Sequence, residues 1–71
     1  MNINLELYKT FYYVAKNENI SRASNELNIS QPAISKAIKN LEEQLNTNLF
    51  IRKRDGMELT EIGEAIYKKI K

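Results

Sequence analysis

The apolar positions between about residues 4 and 17 follow a helical period. Plotted at about 100° per residue, Leu5, Leu7, Tyr8, Phe11, Tyr12, Val14 and Ala15 fill about half of the circumference. A surface helix needs an apolar stripe of only about 100°, so this helix is expected to be covered from two directions. Tyr13 falls on its polar side and is expected to be exposed. After a short link, Glu18-Asn19, Ser21 reads as the N-cap of a second, short helix, its hydroxyl placed to accept from Ala23 or Ser24. Ala23 and Leu27 mark the inner side of this helix. Asn28 is expected to end it in the left-handed conformation that asparagine tolerates, and Ile29 to plug the core between helices.

Ser30 reads as another N-cap, with Pro32 in the first turn, where a missing amide costs nothing. The third helix is predicted to run to about Leu45, with Ile34, Ile38, Leu41 and Leu45 inward and Asn46 closing it. The period then changes. Leu49-Phe50-Ile51-Arg52-Lys53 is short and apolar at its start, Asp55-Gly56 is a hairpin turn signal, and Met57 and Leu59 flank Glu58 on a return strand. Thr60 caps a last helix, with Glu61 favourably placed against its dipole. Ile62, Ile66 and Ile70 repeat along that helix every four residues, flanked by Ala65. No C-cap signal follows, which reads as a truncation inside the helix.

Composition narrows the chemistry. The 71 residues form one domain, and one this small buries only roughly 60% of its unfolded surface, so a partner would help it. Cysteine and histidine are both absent. That removes disulfides, thiolate metal sites and the commonest general base, so an enzyme is the weakest reading. No glycine-rich phosphate loop occurs, and the adjacent Glu42 and Glu43 point in different directions on a helix, unlike a catalytic pair. No apolar run approaches the ~20 residues of a membrane span. The N-terminus lacks the basic start and apolar core of a signal peptide, so a cytoplasmic location is expected.

Net charge is only +2, but its distribution is uneven. With the isoleucine–leucine stripe of the third helix inward, Gln31, Pro32, Ser35, Lys36 and Lys39 point outward, mostly on its N-terminal half. The acids Glu42 and Glu43 follow only later. Ahead of this helix stand Ser21 and Arg22, and beyond it Arg52-Lys53-Arg54 crowd positive charge at a hairpin tip. A polar exposed face is ordinary for any helix, and a charge run usually serves solubility. Two basic features flanking one helix point instead to double-stranded DNA. The N-terminal half of the second helix of a helix-turn-helix enters the major groove, and arginine at a loop tip suits the minor groove. Gln31 can pair bidentately with adenine, Ser35 suits several base edges, Lys36 and Lys39 can reach phosphate or guanine, and Arg22 the backbone. Tyr8, Phe11 and Tyr12 read as core, not as a platform for stacking bases. The competing reading is a winged-helix protein-interaction module, which needs no basic wing.

Leu5…Phe11, Ala23, Leu27, Ser30-Gln31-Pro32-Ala33-Ile34-Ser35, Ile38, Leu41-Glu42, Leu49-Phe50, Arg52 and Leu59-Thr60…Gly63 together resemble the N-terminal domain of LysR-type transcriptional regulators. The resemblance covers nearly the whole chain. It implies a mainly α fold, a winged helix-turn-helix with a three-helix core, a short β-hairpin wing and a C-terminal linker helix. The DNA-binding domain would span 1–59, with the helix-turn-helix at about 20–39, the wing at about 49–59, and the start of a linker helix at 60–71. The resemblance further implies sequence-specific DNA binding through Ser21, Arg22, Ser30, Gln31, Pro32, Ser35, Lys36, Lys39, Arg52, Lys53 and Arg54. It implies a homodimer through the linker helix. The isoleucines Ile62, Ile66 and Ile70 are expected at that interface, because little of their own domain remains to cover them. No cofactor is expected in this domain; a small-molecule inducer would bind a further C-terminal domain. The chain departs from the family where Glu18-Asn19-Ile20 replaces Gly-Ser before an aromatic, where Ser24 replaces a second alanine, and where Asn46 replaces glycine. It also has Lys36 and Ala37 where arginine and glutamine are frequent, and lysine cannot make arginine's planar bidentate contact.

Overall fold

Four helices and one hairpin follow in the order α1 (Leu5–Asn17), α2 (Ile20–Leu27), α3 (Gln31–Leu45), β1 (Phe50–Lys53), β2 (Gly56–Leu59) and α4 (Glu61–Ile70) in a computed structural model that describes residues 5–70. The expected helix start at residue 4, and residues 1–4 and 71 of the expected domain and linker spans, lie outside the described residues. The winged helix-turn-helix architecture is present. Helices α1, α2 and α3 enclose a core of Phe11, Val14, Ala15, Ala23, Ile34, Ile38 and Leu41, which Leu49, Phe50 and Met57 close from the hairpin side. The rings of Phe11 and Phe50 meet at 5.4 Å, joining helix core to wing root.

Local chemistry explains most boundaries. Asn28 (φ 58°) and Asn46 (φ 54°) both adopt the left-handed conformation and close α2 and α3. Ser30 accepts from the Ala33 amide at 3.2 Å, and Pro32 lies in the first turn. Thr60 Oγ1 accepts from the Gly63 amide at 3.0 Å and donates to the Asn48 carbonyl at 2.8 Å, capping α4 and tying it to the connection between α3 and β1.

Five expectations need correction. Asn19, not Ser21, caps α2: its side chain accepts from the Arg22 amide at 2.9 Å. Glu18 turns the chain in the left-handed region (φ 53°), so the helix can start at Ile20 and Ser21 falls inside its first turn with its hydroxyl exposed. Ile29 is 39% exposed and plugs nothing. Its amide donates to the Ser24 carbonyl at 3.2 Å and its carbonyl accepts from the Ser24 hydroxyl, which holds the turn at the surface. Tyr13 is half-buried against the core, edge-on to Tyr12 and with Lys16 Nζ 5.4 Å from its ring centre, so it does not stand on an open polar side of α1. The hairpin loop is Arg54-Asp55, one residue earlier than expected, since Lys53 pairs with Gly56. Finally, Ile66 is half-buried on its own core instead of uncovered, with Tyr67 beside it stacking on Tyr12 at 5.6 Å; Ile62 (49%) and Ile70 (39%) are exposed.

Candidate nucleic-acid interface

Gln31 opens α3 immediately after its serine cap, at the positive end of the helix dipole. Its Nε2 donates to the Ser21 hydroxyl at 3.4 Å, a long bond that joins the two helices of the helix-turn-helix on their outer side. Gln31, Pro32, Lys36 and Lys39 are exposed and Ser35 is half-buried, while Ile34, Ile38 and Leu41 are fully inward. The division of α3 into two faces therefore stands as the periodicity implies. Ser30 itself is committed to capping. Lys39 lies at the edge of a shallow depression that also holds Glu42, Glu43 and Asn46 to Asn48, so the positive face ends there.

The wing meets this face from one side. Asn19, Ile20 and Ser21 form one wall of an open groove whose other wall is Arg52 to Met57. Ser21 and the three basic residues of the wing thus share one concave surface, with Gln31 bonded to its edge. Arg52, Lys53 and Arg54 are exposed, but Lys53 is paired with Glu58 at 3.1 Å, on the same face of the hairpin. Among the described residues no ion pair engages Arg22, Lys36, Lys39, Arg52 or Arg54, which leaves those five cations available to an external anion.

Both edges of the hairpin are tied to the helices. In a two-stranded ribbon alternate amides point away from the partner strand. The Phe50 amide does so and meets Glu42 Oε2 at 3.2 Å; the same oxygen accepts from Leu49 at 2.7 Å. On the other edge the Met57 amide donates to the Glu18 carbonyl at 3.0 Å. A Cβ at residue 56 would stand 2.5 Å from that carbonyl, so only glycine allows the approach. The Leu49 carbonyl accepts from Thr60 at 3.0 Å and lies so close to Gly63 that a Cβ there would come within 2.2 Å of it. Sequence reasoning assigned no role to Asn19 or Glu42. The signal for the first was an asparagine directly before an apolar helical residue. For the second it was an acid near a helix end, where the dipole disfavours it unless a donor compensates.

Away from this surface, Asn17 Nδ2 donates to the Tyr13 carbonyl at 2.8 Å and to Glu26 at 2.6 Å, with Lys16 3.6 Å from the same carboxylate. The Asn17 bond, opposed by partial desolvation and aided by the Lys16 charge, holds the Glu26 carboxyl below its usual range. No cluster of three or more metal-ligating side chains occurs among the described residues, and none of their helices is long and apolar enough to cross a membrane.

This chain is similar in sequence and shape to known transcriptional regulators. A regulator from Klebsiella aerogenes, the HTH-type transcriptional regulator BudR, is 46% identical over 66 residues, which is 93% of this chain and 46% of the regulator. The uncharacterized HTH-type transcriptional regulator YoaU of Bacillus subtilis is 49% identical over 67 residues, 93% of this chain and 23% of that protein. This chain thus spans less than half the length of these relatives. Among solved structures, the DNA-binding domain of CbnR in complex with DNA superimposes with a TM-score of 0.91 at 33% identity, over 94% of this chain and 77% of that one. The DNA-binding domain of BenM with catB site 1 DNA gives 0.90 at 30% identity, over 94% and 75%. These relatives are transcriptional regulators, not enzymes. Residues 5–64 match the family described as "Bacterial regulatory helix-turn-helix protein, lysR family", and the chain belongs to that family.

Proposed function

We propose that this domain reads double-stranded DNA sequence-specifically, as the operator-binding head of a LysR-type transcription regulator. The observation that carries the proposal is the shared surface of Ser21, Gln31 and the basic wing, bounded by the outward face of α3. The N-terminal half of α3 enters the major groove, where Gln31 and Ser35 meet base edges, and Pro32 and Lys36 line the approach. Lys39, Arg22, Ser21 and the exposed end of the Ser30 cap lie toward the phosphates, which fix orientation without carrying sequence information. Arg52 and Arg54 extend into the adjacent minor groove, with Lys53 bridging between Glu58 and the backbone. The DNA-bound CbnR and BenM domains, similar in shape, support this reading.

The domain acts as a homodimer through α4, as the exposure of Ile62 (49%) and Ile70 (39%) on α4 and of Leu5 (81%) on α1 supports. A two-fold pair would hold two reading helices one DNA turn, or a multiple of it, apart. Recognition needs no cofactor in these residues; a small-molecule inducer acts through a further domain of the parent regulator. Work on chromosomal DNA places the protein in the cytoplasm. The test is selection of bound duplexes from a random pool by the 71-residue protein. A two-fold symmetric consensus is expected; recovery of no enriched sequence would refute sequence-specific reading.

A further inference from the structure

The wing and the reading helix are separate elements, joined by the four residues Asn46 to Leu49, of which only Leu49 is buried. A hairpin on so short and irregular a connection keeps its bearing only if something holds its root. Glu42 does this. It lies in the last turns of α3, and one oxygen of its carboxylate accepts two consecutive amides, Leu49 at 2.7 Å and Phe50 at 3.2 Å. Its own backbone carbonyl accepts from Thr47 at 3.0 Å, so the same residue holds the connection at both ends. Bonds from amides to a carboxylate are short and about twice as strong as neutral ones. Glu42 is half-buried, which lessens competition from water for them.

Resting on the DNA-binding reading above, we infer that Glu42 is a positioning residue for recognition: it contacts no DNA and fixes the wing cations at a set distance from the base-reading face of α3. The carboxylate sits on the same helix as Gln31 and Ser35, about three turns beyond the first and about two beyond the second, and grips the strand that carries Arg52. Removing it unties the wing root from the reading helix on that edge. The opposite edge stays held by Glu18 and Met57. The hairpin therefore persists but swings, and its arginines no longer arrive at the groove together with α3.

The test is a double-mutant cycle on a duplex selected by the wild-type protein. Arg54→Ala is expected to weaken binding on the order of tenfold in the wild type. In Glu42→Ala the same change is expected to cost less than about threefold, because the wing is already misplaced. Glu42→Gln, which retains an acceptor oxygen, should restore most of the coupling. The chain has no cysteine, so Arg54→Cys can carry a DNA-cleaving iron chelate at one position only. Cleavage should be confined to a few base pairs with Glu42 present and spread out in Glu42→Ala. Glu42→Asp, too short to reach, should behave like Glu42→Ala. Equal costs of Arg54→Ala in both backgrounds, or an unchanged cleavage pattern in a folded Glu42→Ala, would overturn the inference. So would failure of both the alanine and the aspartate variants to fold, which would make Glu42 a residue of stability alone, or rapid hydrogen exchange of the Leu49 and Phe50 amides in the wild type. Absence of any duplex that the wild type binds would strike the DNA-binding reading itself, and the inference with it.

Discussion

The Met57 amide donates to the Glu18 carbonyl at 3.0 Å, across an approach that is open only because residue 56 has no side chain. Gly56 looks like a turn glycine in the sequence, yet no glycine among the described residues has a positive φ. Its requirement is steric. Gly56→Ala should destabilise the fold by about 1–3 kcal/mol, as overpacking does against backbone that cannot yield. Gly63→Ala, whose methyl would come within 2.2 Å of the Leu49 carbonyl, should cost at least as much. Urea unfolding of both variants checks the pair; wild-type stability in either would show that the packing gives way.

Salt dependence separates the cations of the wing. Arg54 has no partner among the described residues, whereas Lys53 is held by Glu58. Log affinity for a selected duplex should fall with log salt at about −0.9 per phosphate contact. Arg54→Ala should flatten that slope by nearly one such step, and Lys53→Ala by less. Binding titrations at several salt concentrations measure both, and a slope near zero for the wild type would contradict DNA binding through these residues.

Base reading and phosphate contact should come apart on α3. Gln31→Ala should cost on the order of 1–3 kcal/mol at one base pair and relax the preference there. Lys39→Ala should weaken all duplexes about equally. Ser21→Ala, which removes the partner of the Gln31 amide, should broaden the same base preference more mildly. Affinities for a panel of single-base-pair variants of the selected duplex decide the assignment; uniform losses in all three would remove Gln31 as a reader.

Dimerisation is best probed at Ile62. Because Ile66 packs on its own core, Ile66→Asp would unfold the domain as well as split a pair. Ile62 is half-exposed, so Ile62→Asp leaves the monomer fold intact and places an unpaired carboxylate in the proposed interface, where its burial is costly. Sedimentation equilibrium should show a wild type that associates and an Ile62→Asp that does not. A wild type that stays monomeric at high concentration, with and without duplex, would rule out pairing through α4.

The parts of the fold legible in the sequence were those dictated by near neighbours. Ser30 and Pro32 announce the start of α3, Asn28 and Asn46 announce two helix ends, and the four–three–four spacing of Ile34, Ile38, Leu41 and Leu45 separates an inner face from an outer one. Where two local signals competed, the reading slipped: Asn19 and Ser21 are equally good caps, and the choice between them fell to the left-handed turn at Glu18, which glutamate does not advertise. What depends on distant segments was not legible. The burial of Tyr13, the packing of Ile66 and the grip of Glu42 on Leu49 and Phe50 arise from how the helices and the wing converge.

That convergence has a mechanical side. Leu49 is gripped at its amide by the reading helix, through Glu42, and at its carbonyl by the start of α4, where Gly63 rests against it. It is a fulcrum shared by three elements. The ten residues of α4 form a lever about 15 Å long at about 1.5 Å per residue. A tilt of about 10° on this bearing swings the far end by roughly 2–3 Å while every turn of the helix stays intact. In the symmetric pair proposed above the two levers would move in opposite senses, and the displacement between reading heads would double. A force applied at the tip of α4, far from any base, would thereby become a change of stride along the double helix.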